Sequence, residues 1–332
     1  MENEKKLKYN PEDMIAAADA QFLAWMKEGR YAELIGTMPD LGKYSLRNQM
    51  LILMQNPKAT FVNGMNAWNY KRRHVQKGQT SIKIIAPKFA SKVSTDKDGN
   101  ITEKTLDTVT GYEVNFVYDV TQTEGEPLKE IFKDNTALER FETVADAIQD
   151  TAKDFEFTSH TKETDESHGI LDTLNKTISV RSDLTKAEAL RVLIQQVAAA
   201  NVLMRDRRHF QGIMPADMQS INTIEANAVA YTVCKRLNLN TPTLISPDFE
   251  GMSDSNISRF AENVGVIRSI SQRMINAAEG AVVKELFAEA QAAAEAEKEK
   301  PELTVTDVKP KTQNTVRQPK QAQRTKNEAV MG

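Results

Sequence analysis

Ile82-Lys83-Ile84-Ile85-Ala86-Pro87 and Tyr112-Glu113-Val114-Asn115-Phe116-Val117-Tyr118-Asp119-Val120 decide the fold class of this chain. In the first, Ile82, Ile84 and Ala86 share one side; in the second, Val114, Phe116, Tyr118 and Val120 do. Alternation of period two marks strands with one buried face. Between them Thr95-Asp96-Lys97-Asp98-Gly99-Asn100 is dense in turn formers, so the pair predicts a hairpin over about 80–120.

Upstream the period changes to that of a helix. Pro11, Glu12 and Asp13 suit a first helical turn, and apolar residues recur from Met14 to Met26, predicting a helix over 11–28. A second helix is expected over 45–55, ended by Asn56-Pro57. Helices followed by a hairpin predict a small α+β domain over 1–126. Residues 124–135 read as a linker. The later half predicts helices over 136–153, 185–204, 220–237 and 254–293, with a short strand at Thr177–Val180. From 297 to 332 Pro, Thr, Gln, Lys and Asn replace large apolar groups, so a disordered, mildly basic tail is expected.

A chain of 332 residues has room for about two domains, here 1–126 and 136–293. The single Cys234 excludes an internal disulfide framework and suits a reducing cytoplasm. The start MENEKKLKYN does not look like a signal peptide, and apolar runs such as Met50–Met54 are too short to cross a bilayer, so no membrane partner is expected.

Charge is the unusual property. The fifty-five residues between Asp40 and Asp96 hold ten Lys or Arg and no Asp or Glu, in a chain of net charge −3. Tyr44, Phe61, Trp68, Tyr70 and Phe89 lie among them. Uninterrupted positive charge mixed with flat rings suits a groove that follows a phosphate backbone while bases stack on its walls. A solvated cationic face around ordinary core aromatics is the competing interpretation.

Six phrases, in order, resemble the N-terminal domain of the ArdC-type antirestriction family. They are Tyr44-Ser45-Leu46-Arg47-Asn48-Gln49, Gln55-Asn56-Pro57-Lys58-Ala59-Thr60, Gly64-Met65-Asn66-Ala67-Trp68, Val75-Gln76-Lys77-Gly78, Ile82–Pro87 and Phe116–Thr123. The resemblance implies a single-stranded-DNA-binding domain of a plasmid, conjugative-element or phage protein, with antirestriction as its role. The residue types agree with it. Asn48, Gln49 and Asn66 carry amides for polar recognition, Tyr44, Trp68 and Tyr70 carry rings, and Arg47, Lys71, Arg72, Arg73, Lys77 and Lys83 carry charge for phosphates. Trp68 reads equally as a core anchor, and Asn48 as a helix brace.

In that family the second domain resembles a zincin-type metallopeptidase, with H-E-x-x-H on a helix. The matching segment here is Leu193–Ala200. Its histidine positions fall on Gln195 and Ala199, the glutamate on Gln196, and the third ligand on Thr223, with Glu225 as the alternative. Amide and methyl groups do not replace imidazoles around zinc, and an amide is no general base. The expectation is a catalytically inactive, zincin-like domain with no cofactor, kept for packing or for a protein partner. His160 and His168 lie in a polar stretch expected to face water, and Cys234 sits in an apolar pattern expected to be buried.

Overall fold

Asn10 begins the first described element of this computed structural model, which describes residues 10–95, 101–128, 130–205 and 215–298. The side-chain oxygen of Asn10 accepts from Glu12 N at 3.1 Å, and Pro11 occupies the first turn of α1 (Pro11–Lys27). Met14, Ala18, Phe22, Trp25 and Met26 form its buried stripe. Next comes α2 (Tyr31–Leu41), which the sequence reading does not anticipate. Pro39 and Gly36 weaken its helical pattern, yet Tyr31, Leu34, Ile35, Met38 and Leu41 are all buried, so packing overrides propensity. α3 (Leu46–Gln55) starts where expected, with Ser45 capping Asn48 N.

The expected hairpin is present and long: β3 (Ile82–Thr95) pairs antiparallel with β4 (Ile101–Asp119), with Ile82 opposite Val117 and Ile85 opposite Val114. Short β1 (Val62–Asn63) adds to the other side of β4, giving the order β1-β4-β3. Between β1 and the hairpin lie α4 (Met65–Tyr70) and β2 (Arg73–Val75). β2 pairs with β5 (Thr123–Gly125), so the expected linker begins as a strand.

The second half opens with α5 (Thr136–Glu139) and α6 (Phe141–Asp150). A three-stranded sheet follows: β6 (Glu156–His160), β7 (Gly169–Asp172) and β8 (Thr177–Arg181), with β8 central, parallel to β6 and antiparallel to β7. Only β8 is anticipated, because β6 and β7 are polar or half-buried throughout. His160 therefore ends a strand, where its ring bonds Ser179 Oγ at 2.8 Å and Ser167 O at 2.9 Å. Three helices complete the described residues: α7 (Lys186–Met204), begun by a Thr185–Glu188 capping box, α8 (Pro215–Arg236) and α9 (Asp254–Lys298). Cys234 is fully buried, and burial pushes its thiol up to about 12.

The architecture is α+β. Through Phe287 the chain is one compact unit, with a core continuous from Met14 to Val282. Tyr31 meets Phe260 edge to face at 5.9 Å, Lys235 Nζ donates to Gly36 O at 2.8 Å, and Arg268 donates to Gly42 O at 3.3 Å. No described helix is long and apolar enough to cross a membrane. The expected turn at 96–100, His209 and nearly all of the expected tail lie outside the described residues.

Candidate nucleic-acid interface

α3 lies along the free edge of β3 and binds it with two side-chain amides. Asn48 accepts from Ile85 N at 2.9 Å and donates to Ile85 O at 2.8 Å. Gln55 does the same to Lys83, at 3.0 and 2.8 Å. Alternate residues of one strand edge point their backbone groups the same way, so two amides stand in for a missing strand. Gln49 is also buried and donates to Tyr44 O at 3.0 Å. Asn48 and Gln49 are thus internal braces and present no amide to a ligand.

Trp68 is the main correction. Its side chain is 0% exposed, its Nε1 donates to Tyr118 O at 3.0 Å, and its ring meets Phe61 edge to face at 5.7 Å. The indole pins α4 to the sheet and offers no stacking face. The cations of the acid-free block also divide. Arg47 turns to α1, with Nε 2.8 Å from Asp19 Oδ1. Arg73 folds onto the β5 backbone, donating to Thr123 O at 2.9 Å and Glu126 O at 2.5 Å. Lys83 sits at the braced edge of β3, while Lys77 and Asn66 are exposed. One uninterrupted channel across all twelve residues is not what the fold builds.

What it does bring together lies at the end of α4. Tyr70 is 92% exposed. Lys71 caps the helix, and Arg72 ends it in the left-handed region at φ 56, a conformation costing a residue with a Cβ roughly 1–2 kcal/mol. The Arg72 side chain is 77% exposed and pairs with Glu126 at 3.0 Å. Gly125, opposite Arg73, permits this turn: a Cβ there would lie 2.3 Å from Arg72 O. These residues and Phe61 line a cleft of about 1070 Å³ whose far wall holds Lys235, Arg236 and Asn238 at the end of α8. Among its described lining residues five are Lys or Arg and three are Asp or Glu, so positive charge is in excess. Arg236 is partly answered by Glu279 at 2.7 Å.

Beside the cleft, Lys43 Nζ lies 5.0 Å from the Phe61 ring centre and 5.1 Å from that of Tyr44, and Lys71 Nζ lies 5.7 Å from Phe61. Enclosure of the Lys43 ammonium, together with the like charge of Lys71, pulls it down to about 8. Tyr44 itself is fixed by donating to Val62 O at 2.8 Å. Sequence reasoning counts Lys43 and Phe61 in the acid-free block without singling them out. Their proximity comes from β1 folding back beside the end of α2, which no local pattern announces.

In the second half, Gln195, Gln196 and Ala199 are half-buried on α7, and Gln196 packs against Gly169 of β7. Thr223 is exposed on α8. Glu225, the alternative ligand, is fully buried and bonded elsewhere: Arg205 donates to its Oε2 and Asn263 Nδ2 to its Oε1 at 2.8 Å. Burial raises its pKa, opposed by Arg205 and Asn263. Asn227 is held by the 243–245 segment, donating to Thr243 O and accepting from Ile245 N. Two amides, a methyl and a hydroxyl do not suit zinc, and the Glu225 carboxylate is already paired with a guanidinium. Among the described residues no three His, Cys, Asp or Glu side chains gather as a metal-ion site.

These features define an α+β protein with a basic, ring-edged cleft. Residues 11–118 match the model of the N-terminal domain of anti-restriction factor ArdC. Among solved structures, the metal-free antirestriction ArdC protein from the R388 plasmid aligns with a TM-score of 0.42 at 12% identity, covering 83% of this chain and 98% of that one. Its Mn(II)-bound structure aligns at 0.33 and 11% identity, covering 73% and 88%. No curated protein matches.

Proposed function

We propose that this chain is a single-stranded-DNA-binding protein of a mobile element, with antirestriction as its role and no enzymatic activity. The observation that carries the reading is Tyr70, a ring 92% exposed at the mouth of a net-positive cleft and followed by Lys71 and Arg72. A flat ring between cations accepts any base and neutralises the flanking phosphates, the pattern of sequence-tolerant single-strand binding. The family of its N-terminal domain, described by an anti-restriction factor, supports the role. The expected result is single-stranded oligonucleotide binding that weakens steeply with salt and weakens further in Tyr70→Ala. Absence of binding at low salt, or binding indifferent to salt, sinks the reading.

The inactive-peptidase part rests on the groups at 195, 196, 199 and 223, none of which replaces imidazole or carboxylate. Metal analysis of the purified protein is expected to find far less than one zinc per chain. One tightly held equivalent refutes it.

A second reading, in which the later half docks a protein partner, is favoured by one feature: Val283, Leu286 and Phe287 are exposed at helical spacing on α9. Removal of Tyr70 separates the two, since partner binding through α9 does not involve it.

A further inference from the structure

Asn63 carries an observation that the cleft alone does not explain. Its side chain is 8% exposed, and its Oδ1 accepts from Lys43 Nζ at 2.6 Å. An ammonium has only hydrogens to give, so it claims the oxygen end of the amide and leaves the NH2 end available. That Nδ2 is buried and has no hydrogen-bond partner. Buried amide donors are rarely left in this state, because the desolvation cost goes unrecovered.

The same spot holds two unanswered positive charges. Lys43 and Lys71 approach the Phe61 ring from different segments, one after α2 and one after α4. No described carboxylate pairs with either ammonium, although Arg72 next door has Glu126. They are close enough for the charge of Lys71 to help pull Lys43 down to about 8. Two like charges at one ring, with an unused N–H donor on the amide that Lys43 bonds, are the complement of a small oxyanion.

We propose that Lys43, Lys71 and the Asn63 amide form a phosphate-binding subsite beside the Phe61 ring, taking one phosphodiester of the strand whose base rests on Tyr70. This rests on the nucleic-acid reading for its ligand and extends it to three residues. The single negative charge of the phosphodiester, spread over two oxygens, accepts from both ammonium groups and from Nδ2, and the ring walls one side against water. Tyr70 immediately precedes Lys71, so base and phosphate contacts fall on neighbouring residues. Lys43, Phe61 and Asn63 then replace Trp68, Asn48 and Gln49 as contributors to the interface.

The test uses the full chain labelled with 13C-lysine. Titration with inorganic phosphate is expected to shift the Lys43 and Lys71 methylene signals saturably, with no shift from chloride at matched ionic strength. Asn63→Asp is nearly isosteric and pairs with Lys43 itself, so it keeps the fold and is expected to abolish the shift. In parallel, Lys43→Met with Lys71→Met is expected to flatten the dependence of log K on log salt for a single-stranded oligonucleotide by about 0.7, the share of the one phosphate that both lysines hold. An unchanged slope with ordinary oligonucleotide binding overturns the subsite and leaves the nucleic-acid reading standing. Phosphate-induced shifts without oligonucleotide binding support an oxyanion site and overturn the nucleic-acid reading. No shift with phosphate, together with no oligonucleotide binding, overturns both.

Discussion

Trp68→Ala is expected to lower the unfolding free energy by about 3–5 kcal/mol, the range for emptying an aromatic from a core. The indole is fully buried, packs edge to face on Phe61, and donates from α4 to Tyr118 O. Its loss leaves a cavity under α4 and a carbonyl without its partner. Urea unfolding measures this directly. Tyr70→Ala, two residues on, removes a ring in solvent and is expected to change stability by no more than about 0.5 kcal/mol. The two substitutions are therefore expected to separate along different axes, Trp68→Ala lowering stability and Tyr70→Ala lowering the proposed affinity for an unpaired strand. If Trp68→Ala leaves stability intact while abolishing binding, the assignment of the two rings is reversed.

Glu225→Ala is expected to cost a similar amount, about 3–5 kcal/mol, because it leaves the mostly buried Arg205 guanidinium without its carboxylate. It also removes the acceptor for Asn263 Nδ2, tying α8 to α9. Glu225→Gln keeps the shape and the Asn263 bond, and is expected to cost less. The pH dependence has a definite sign. Burial lifts the folded Glu225 carboxyl above its ordinary value near 4.5, so the native state keeps its proton longer than the unfolded chain does. The stability this group contributes is present below that ordinary value and is lost as pH rises through the folded value. Glu225→Gln is expected to remove that slope. Unfolding curves at several pH values, compared between wild type and Glu225→Gln, check it. A slope of the opposite sign would mean that Arg205, and not burial, sets the carboxyl.

The hairpin, α1, α3 and α7 are legible in the sequence because each carries its own local signal. Ile82 and Ile84 alternate, Pro11 follows a capping Asn10, and Thr185 stands three residues before Glu188. α2 is not legible, since Gly36 and Pro39 argue against a helix that only burial of Leu34, Ile35 and Met38 sustains. β6 and β7 fail for the opposite reason: their residues are too polar or too half-buried to show an apolar period. At the candidate interface the acid-free composition draws attention to the segment in which Tyr70, Lys71 and Arg72 line one cleft. Composition does not say which ring faces inward. Trp68 and Tyr70 lie two apart on a single short helix, and only the sheet beneath α4 decides between them. Asn48 and Gln49 look like recognition groups because amides suit both purposes; that their partners are Ile85 and Tyr44 becomes apparent only in three dimensions.

The amides of Asn48 and Gln55 have a consequence for how the ribbon keeps its place. They read two positions of β3, Ile85 and Lys83, and nothing else along that edge. Slide the strand by one residue and the backbone groups meeting the helix are those already committed to β4, while Ile82 and Ile84 turn toward water. Slide it by two, so that Pro87 stands where Ile85 was, and Asn48 asks for a hydrogen that proline lacks. The helix thus works as a ratchet pawl, blocking the two-residue slip that brings Pro87 to Asn48 in a ribbon whose own alternating pattern would tolerate it.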